Sequence, residues 1–328
     1  MKVLFATYPM AFHTPGGGEI QLLAYQKHLP AYGIDVSLFD PWNPRFLDHD
    51  VVHFFSCMGG SVHFCRFVKQ LGLPLVVSSS LWITHETKHL YPIDEIRSQL
   101  DLADKVVANS DIECDTLSEV LDIPRGKFST VYNGVEDVFF LDSNGDDFRR
   151  HLNIRDPFIL NVGNIEPRKN QLMLARAMKG FPEYKLVLIG HIRDVDYFQH
   201  VLEIGGEQII YIGALTHESS LLRSAFHASS VFALPSTLET PGLAALEAAG
   251  MGIRLLVTEE GSAREYFSDA AIYINPGNLD SIRMGIARSL SEESAYTRKE
   301  LQETIRQDFR WSGTTQKLKK IYESLLIK

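Results

Sequence analysis

The sequence predicts an α/β protein with two doubly wound parallel sheets. Short apolar runs rich in β-branched residues recur along the 328 residues, and helical patterns separate them. Continuous apolar strands alternating with helices are typical of parallel sheets covered on both faces. The pattern pauses after residue 141 and restarts near residue 153. We therefore expect two domains of about 150 residues each, an ordinary domain size.

The first predicted domain covers residues 1–141. Its strands are expected in six apolar runs, at 2–7, 35–40, 50–56, 73–80, 105–110 and 128–134. A helix is predicted at 18–33, after a glycine-rich turn, and an N-capped helix at 109–124.

The second predicted domain covers residues 153–310 and repeats the pattern. Strands are expected at 156–164, 184–190, 208–213, 229–236, 253–259 and 270–275, and helices at 171–181, 219–228, 242–250 and 279–290. The polar stretch LDSNGDDFRRHL at 141–152 predicts a linker. The tail at 311–328 predicts an amphipathic helix. Because ligands of open α/β sheets bind beyond the carboxyl ends of the strands, we expect the active site in a cleft between the two domains.

Composition narrows the classes of partner. The formal net charge of −9 disfavours nucleic acid, whose phosphates need Lys and Arg, and weakens any attraction to anionic lipid. The three cysteines form no CxxC pair, which favours a reducing compartment. No apolar run approaches the ~20 residues of a membrane helix. We expect a cytoplasmic protein without a transmembrane segment, and peripheral attachment at the inner membrane stays open.

The segment LPSTLETPGLAALEAAGMG at 234–252 carries the strongest site signal. A strand followed by a small-residue helix places Thr240, Gly242 and Leu243 at a helix N-terminus, where free N–H groups favour anions. Glu239 can accept hydrogen bonds from sugar hydroxyls, and Glu247 can present two oxygens to a ribose diol. The alternative is an ordinary surface helix with one acid near its start and one solvated glutamate.

Two further segments are candidate phosphate sites. In LNVGNIEPRKNQ, at 160–171, Lys169 can neutralise a diphosphate; the alternative is a helix-start turn with exposed cations. In TPGGGEIQ, at 14–21, glycines open a helix and allow close approach of a ligand, or form a turn with no ligand. The pattern is not GxGxxG, so a nicotinamide site is weakly supported and no cofactor is expected.

Metal signals are weak. Asp194 and Asp196 form a DxD in RDVD, but this pattern is common by chance. His85 and His89 are four residues apart, yet no HExxH motif and no third ligand accompany them. No metal site is predicted.

Taken in order, these segments resemble the retaining GT-B glycosyltransferases of glycosyltransferase family four, the group 1 glycosyltransferases. The likeness covers nearly the whole chain, in PGGGE, DVVHFF, LADKVVANSDIECDTL, FSTVYNGVEDVFF, LNVGNIEPRK, VFALPSTLETPGLAALEAAGMG and EEGSAREYF. It implies the GT-B fold, two Rossmann-like domains facing a central cleft. It also implies that the tail helix at 313–328 packs back on the first domain.

The resemblance also implies roles for matching residues. Glu247 would hold the nucleotide ribose, Glu239 would contact the donor sugar, and Lys169 would steady the leaving diphosphate. Further donor contacts would come from the turn of the first domain and the backbone at the start of the small-residue helix, at Gly17, Gly18, Thr240, Gly242 and Leu243.

Two positions depart from the family pattern. Asn164 stands where the family has an arginine, so one phosphate cation is missing, and Arg168 is our candidate for a partial substitute. Ser79 stands where many members have a histidine that contacts the donor sugar. His85, six residues on, is a second candidate for contact with sugar or acceptor.

The resemblance thus implies a metal-independent, retaining hexosyltransferase, with Lys169 and Glu239 at the reacting centre. The donor would be a UDP or GDP sugar. The acceptor, whether glycan, lipid-linked, small molecule or protein, is not readable from the sequence. Three alternatives remain: a nucleotide-sugar epimerase of the same fold, a non-catalytic partner subunit, and a hydrolase that uses the two glutamates as acid and base.

Overall fold

The structure is a computed structural model that describes residues 1–291 and 295–327. The chain divides into two compact units. Unit 1 comprises Met1–Gly134 and Trp311–Lys328, and unit 2 comprises Val135–Arg310. Each unit has its own parallel sheet, so the predicted α/β class is confirmed.

Unit 1 contains a six-stranded sheet in the order β2-β1-β3-β4-β5-β6. Its strands are β1 (Lys2–Thr7), β2 (Asp35–Leu38), β3 (Val51–Phe55), β4 (Leu75–Ser78), β5 (Lys105–Ala108) and β6 (Phe128–Thr130). Its first four helices are α1 (Gly17–His28), α2 (Val62–Gln70), α3 (Ile93–Leu102) and α4 (Asp111–Leu121). Every residue of β3 and β4 is buried, as expected for central strands with helices on both faces.

Unit 2 contains a second parallel sheet in the order β12-β11-β10-β7-β8-β9. The strands are β7 (Phe158–Val162), β8 (Lys185–Ile189), β9 (Ile209–Tyr211), β10 (Val231–Leu234), β11 (Leu255–Thr258) and β12 (Ile272–Ile274). The helices are α5 (Gly145–Leu152), α6 (Gln171–Met178), α7 (Val195–Gly205), α8 (Ser220–Ala228), α9 (Leu243–Gly250), α10 (Ala263–Phe267), α11 (Leu279–Leu290) and α12 (Ala295–Asp308). The strand order reverses between β7 and β10, which is where open α/β sheets bind ligands.

The last helix, α13 (Trp311–Leu326), belongs to unit 1 although it follows unit 2 in the chain. Trp311, Leu318 and Tyr322 are fully buried. The Trp311 ring packs edge-on against Tyr25 of α1 at 5.3 Å between centroids, and the Tyr322 hydroxyl lies 2.6 Å from Nδ1 of His53 on β3. The helix is therefore part of the unit 1 core.

Two predicted elements differ from the structure. The predicted linker at 141–152 was wrong for most of its length, because α5 occupies Gly145–Leu152. Asn144 caps this helix by accepting from the Asp146 N–H at 3.0 Å, and Phe148 is its one buried side chain. The helix predicted at 18–33 ends at His28 and continues as a 3₁₀ turn over Leu29–Tyr32, where Pro30 cannot donate an N–H.

The other predicted elements are confirmed; the strand at 2–7 and the helix at 279–290 have the predicted bounds, and the rest are shorter by up to four residues at an end. In the part of the chain that the structure describes, no helix is both long and apolar enough to cross a bilayer.

Candidate functional site

The candidate site of unit 2 lies at the reversal of its strand order. β7 and β10 are parallel neighbours, with Ile159 opposite Val231. The chain leaves β7 through Gly163 into a 3₁₀ turn that ends at Lys169, and leaves β10 into the loop that carries Glu239. The carboxyl ends of the two strands thus bring together segments that are 70 residues apart in sequence.

Lys169 and Glu239 form a buried ion pair. Lys169 Nζ donates to Glu239 Oε1 at 2.5 Å, and the side chains are 13% and 7% exposed. The Ser236 hydroxyl donates to the same oxygen at 2.6 Å, and Arg168 Nη1 lies 3.7 Å away. One carboxylate oxygen is thus surrounded by a lysine, a hydroxyl and a guanidinium.

These surroundings keep Glu239 ionised. Burial by itself raises the pKa of Glu239, but the charges of Lys169 and Arg168 outweigh it and hold the pKa below its usual range. The same burial lowers the pKa of Lys169, and Glu239 offsets part of that effect. The pair is a fixed charge and counter-charge shielded from water.

Hydrogen bonds connect the loop after β7 to the loop after β10. Asn170 Nδ2 donates to the carbonyl oxygens of Pro235 at 3.0 Å and Pro276 at 2.9 Å. The Thr237 N–H donates to the Arg168 carbonyl at 2.8 Å. Buried polar groups matched in this way hold a loop in one conformation, so Lys169 and Glu239 are positioned by backbone as well as by their own attraction.

The backbone of Glu239 is held by a third segment. Its N–H donates to the Glu260 carbonyl at 3.1 Å, and its carbonyl accepts from the Ser262 N–H at 3.0 Å. Gly261 between them has a φ of +108°, and a Cβ there would lie 2.0 Å from the Glu239 carbonyl oxygen. Only glycine fits this approach.

The start of α9 offers free backbone donors. Gly242 precedes the helix with a φ of +88°, and a Cβ there would lie 2.6 Å from Leu234 Cδ2. The N–H groups of Gly242 and Leu243 find no acceptor among the residues that the structure describes. Two unpaired donors at the positive end of a helix, next to the Lys169–Glu239 ion pair, form an arrangement suited to an anion.

Glu247 lies one turn further along α9 and is almost fully buried. His217, from the loop between β9 and α8, places Nε2 2.5 Å from Glu247 Oε1. Burial lowers the pKa of His217, but the charges of Glu247, Glu218 and Glu136 outweigh burial and raise it. The sequence did not point to His217, which stands alone in LTHESS and matches no motif.

Asn164 and Arg168, the two positions considered for a phosphate-binding cation, differ in burial. Asn164 is nearly buried, and its carbonyl accepts from Gln171 Nε2 at 3.0 Å. Arg168 is 43% exposed and pairs with Glu166 at 3.1 Å. Arg168 therefore keeps a partly exposed charge 3.7 Å from Glu239, whereas Asn164 is buried close to the end of β7.

The remaining predicted residues lie in unit 1. Gly17 begins α1, and a Cβ on Gly18 would meet no atom within 4 Å, so the fold of unit 1 leaves open space there. Ser79 is buried, and its hydroxyl donates at 2.8 Å to Glu113, a buried acid that the sequence did not single out. His85 is exposed, 3.2 Å from Glu119.

The DxD residues are explained by the fold. Asp194 caps α7 by accepting from the Tyr197 N–H at 2.9 Å, and Asp196 is exposed in the first turn of that helix. Among the described residues, no group of three His, Cys, Asp or Glu side chains is placed to hold a metal ion.

Comparison with known proteins places unit 2 in a family. Residues 144–308, half of the chain, match the model for glycosyl transferases group 1. An uncharacterized glycosyltransferase of Methanocaldococcus jannaschii is 27% identical over 191 residues, which cover 54% of this chain and 48% of that protein. The O-antigen chain mannosyltransferase B of Escherichia coli is 30% identical over 145 residues, covering 42% and 38%. The chain spans less than half the length of these relatives.

Solved structures resemble the whole chain. A sucrose-phosphate synthase of Thermosynechococcus elongatus has a TM-score of 0.83 at 18% identity and covers 99% of both chains. HepE of Anabaena, in complex with UDP and glucose, has a TM-score of 0.83 at 17% identity and covers 99% and 100%. At such identities the likeness shows the fold, two Rossmann-like units of the GT-B class. With the match over half of its residues, the chain belongs to the group 1 glycosyl transferases.

Proposed function

We propose that the protein transfers a hexose from a nucleoside diphosphate sugar to an acceptor hydroxyl, with retention at the anomeric carbon and without a metal. One observation carries the proposal. Around the carboxyl end of β10, unit 2 combines a buried lysine–carboxylate pair, two unpaired helix N–H groups and a second buried carboxylate. Along the chain, Glu239, the N–H groups and Glu247 come in the same order as the sugar, the diphosphate and the ribose of a nucleotide sugar.

Each part of the donor has a matching group. Glu247 accepts hydrogen bonds from the ribose diol, and the N–H groups of Gly242 and Leu243 hold the diphosphate. Lys169 adds a full positive charge, which is the contribution that a divalent cation makes in other transferases. Glu239, held ionised, accepts hydrogen bonds from the sugar hydroxyls.

The chemistry requires stabilisation of the leaving group. As the bond between the anomeric carbon and the diphosphate oxygen breaks, negative charge grows on the diphosphate, where Lys169 and the start of α9 oppose it. The acceptor oxygen forms its bond on the face that the diphosphate leaves. Its proton passes to a diphosphate oxygen, so the products are the glycoside and the nucleoside diphosphate.

The comparisons support a proposal for the nucleotide class. HepE of Anabaena has been crystallised with UDP-glucose and with UDP, and four of the matched proteins are named mannosyltransferases. We therefore propose a UDP or GDP hexose as the donor. The three cysteines are free buried thiols, which supports a cytoplasmic location.

A thermal-shift panel with UDP, GDP, ADP and their hexose conjugates tests the proposal. A ligand that binds only the folded state stabilises it by about 2.7 kcal/mol at 100 times its Kd. We expect UDP or GDP to raise Tm and ADP to raise it less. NMR of the product formed in EDTA then reports the anomeric configuration, which retention predicts to equal that of the donor.

A second candidate is a nucleotide-binding subunit without transfer activity, and Asn164 is the observation that favours it. The position lacks the cation that the family pattern carries there. Arg168, 3.7 Å from Glu239, is the charge that compensates in our account. Nucleotide binding without transfer or donor hydrolysis would favour the subunit, and interconversion of the donor sugar without an acceptor would favour an epimerase.

A further inference from the structure

His217 is a polar residue of unit 2 that has no part in the proposed transfer reaction. It lies in the short loop between β9 and α8, and its Nε2 is 2.5 Å from Glu247 Oε1. Its side chain is 26% exposed, against 6% for Glu247. The contact therefore joins a residue near the surface to a carboxylate that water hardly reaches.

The imidazole is itself held in place. The Phe139 ring lies 5.5 Å from it between centroids. The loop is fixed by the Ser219 N–H donating to the Thr216 carbonyl at 3.0 Å, and by the Ser219 hydroxyl accepting from the Leu222 N–H at 3.2 Å as the cap of α8. A ring that packs against Phe139 and is carried by a hydrogen-bonded loop can position the carboxylate that it touches.

The two oxygens of Glu247 are used unequally. Oε1 is occupied by His217, while Oε2 receives no hydrogen bond from any residue that the structure describes. A carboxylate offers about four acceptor positions, so occupation of Oε1 leaves Oε2 fully available. Without a donor on Oε1, the carboxylate would be buried without a partner and free to rotate, and both changes weaken a binding site.

We infer that His217 is a positioning residue, which holds Glu247 so that Oε2 faces the ribose hydroxyls of the nucleotide. The inference rests on the proposed function, because it assumes that Glu247 binds ribose. His217 touches the carboxylate and not the reacting atoms. The charges of Glu247, Glu218 and Glu136 raise the pKa of His217 and so favour the protonated imidazole, which always carries the Nε2 proton that Oε1 accepts.

Calorimetry with three probes tests the inference. UDP and GDP carry the ribose diol, their 2′,3′-dideoxy analogues lack it, and inorganic pyrophosphate lacks the whole nucleoside. We expect H217A to weaken binding of the ribose nucleotide about tenfold, the size expected for one hydrogen bond to a charged group. Binding of the dideoxy analogue and of pyrophosphate should stay within twofold of the wild type.

Two further variants separate positioning from folding. H217Q places an amide N–H near the position of Nε2 and should restore most of the affinity. H217N is polar but too short to reach Oε1 and should behave as H217A does. H200A, which removes an exposed histidine of α7, is the matched control and should change nothing. Tm of each variant without ligand reports whether it folds.

The possible results distinguish the role of His217 from the proposed function itself. Equal losses for the ribose and dideoxy nucleotides would make His217 a structural residue and overturn the inference. Unchanged UDP and GDP binding in H217A would overturn it as well, while leaving the proposed function in place. Failure of the wild type to bind any of the nucleoside diphosphates would overturn the proposed function and the inference together.

Discussion

At the scale of single residues, Glu239 is suited to accept hydrogen bonds and not to donate a proton. A general acid must keep its proton near neutral pH, and burial of a carboxyl group favours that. Around Glu239, Lys169 and Arg168 outweigh burial and lower its pKa. The carboxylate is therefore ionised at neutral pH, which fits contact with sugar hydroxyls and argues against the acid role that a two-carboxylate hydrolase would require.

Lys169 carries the largest expected effect on turnover. Replacement by alanine removes the buried positive charge paired with Glu239, and loss of such a charge-stabilising donor costs on the order of 10²-fold or more in kcat. Steady-state transfer kinetics measure this, with K179A, an exposed lysine of the same unit, as the control. Near-normal kcat in K169A would remove the lysine from the mechanism.

The pH dependence of transfer should also report Lys169. Because burial lowers its pKa, the charge is lost at a lower pH than for an ordinary lysine, and kcat should fall on the alkaline side accordingly. In K169R the charge persists, since a guanidinium does not deprotonate in this range. The kcat profile of K169R should therefore lack the alkaline fall. An identical fall in both proteins would assign it to another group.

At the scale of elements, the entrance to α9 depends on one glycine. Gly242 has a φ of +88°, and a Cβ would come within 2.6 Å of Leu234 Cδ2. G242A should cost about 1–3 kcal/mol in the free energy of unfolding through backbone strain and overpacking. It should also weaken nucleoside diphosphate binding, because the free N–H groups move.

Urea unfolding and calorimetry measure the two effects of G242A. For the unfolding measurement the matched control is G18A, because a Cβ at Gly18 meets no atom within 4 Å. In G18A we expect the urea midpoint of unfolding to be unchanged or slightly higher. A G242A protein as stable as the wild type would contradict the steric argument.

The strands were more predictable than the helices, for a physical reason. A central parallel strand is buried on both faces, so a run such as VVHFF reads directly as a strand. Helix α5 buries only Phe148, and its Asn-Gly start looks like a turn, although Asn144 is in fact its cap. A polar stretch with one apolar residue does not distinguish a surface helix from a linker.

The site was predictable in part. Lys169, Glu239 and Glu247 lie in motif-like segments that each follow a predicted strand, at the edge of the sheet where ligands bind. The contact between His217 and Glu247 joins residues 30 positions apart through a loop, and no local pattern encodes it. Ser79 was predicted near the end of the strand at 73–80 and lies one residue beyond β4. The direction of its side chain depends on Glu113, which only the fold brings close.

At the scale of the whole molecule, the end of the chain completes the core of unit 1. Helix α13 contributes Trp311, Leu318 and Tyr322 to it, all fully buried. A Cβ on Gly134 would lie 2.5 Å from the Trp311 backbone nitrogen, so glycine is required where the helix begins. Burial lowers the pKa of His53 to about 3, which keeps it neutral as the partner of the Tyr322 hydroxyl.

Trp311→Ala should therefore destabilise unit 1. Removing a fully buried tryptophan costs about 3–5 kcal/mol. Two units need not unfold together, so we expect the loss in one of two calorimetric transitions. Q316A, at an exposed position of the same helix, is the control. A W311A protein with unaltered transitions would show that α13 adds little to the stability of unit 1.

A crystal structure of the protein with its most stabilising nucleoside diphosphate tests the central claim most directly. We predict the ribose hydroxyls within hydrogen-bond distance of Glu247, and the diphosphate oxygens on the N–H groups of Gly242 and Leu243 and on Lys169 Nζ. A nucleotide bound elsewhere in the chain, or a diphosphate that touches neither Lys169 nor the start of α9, would contradict the account.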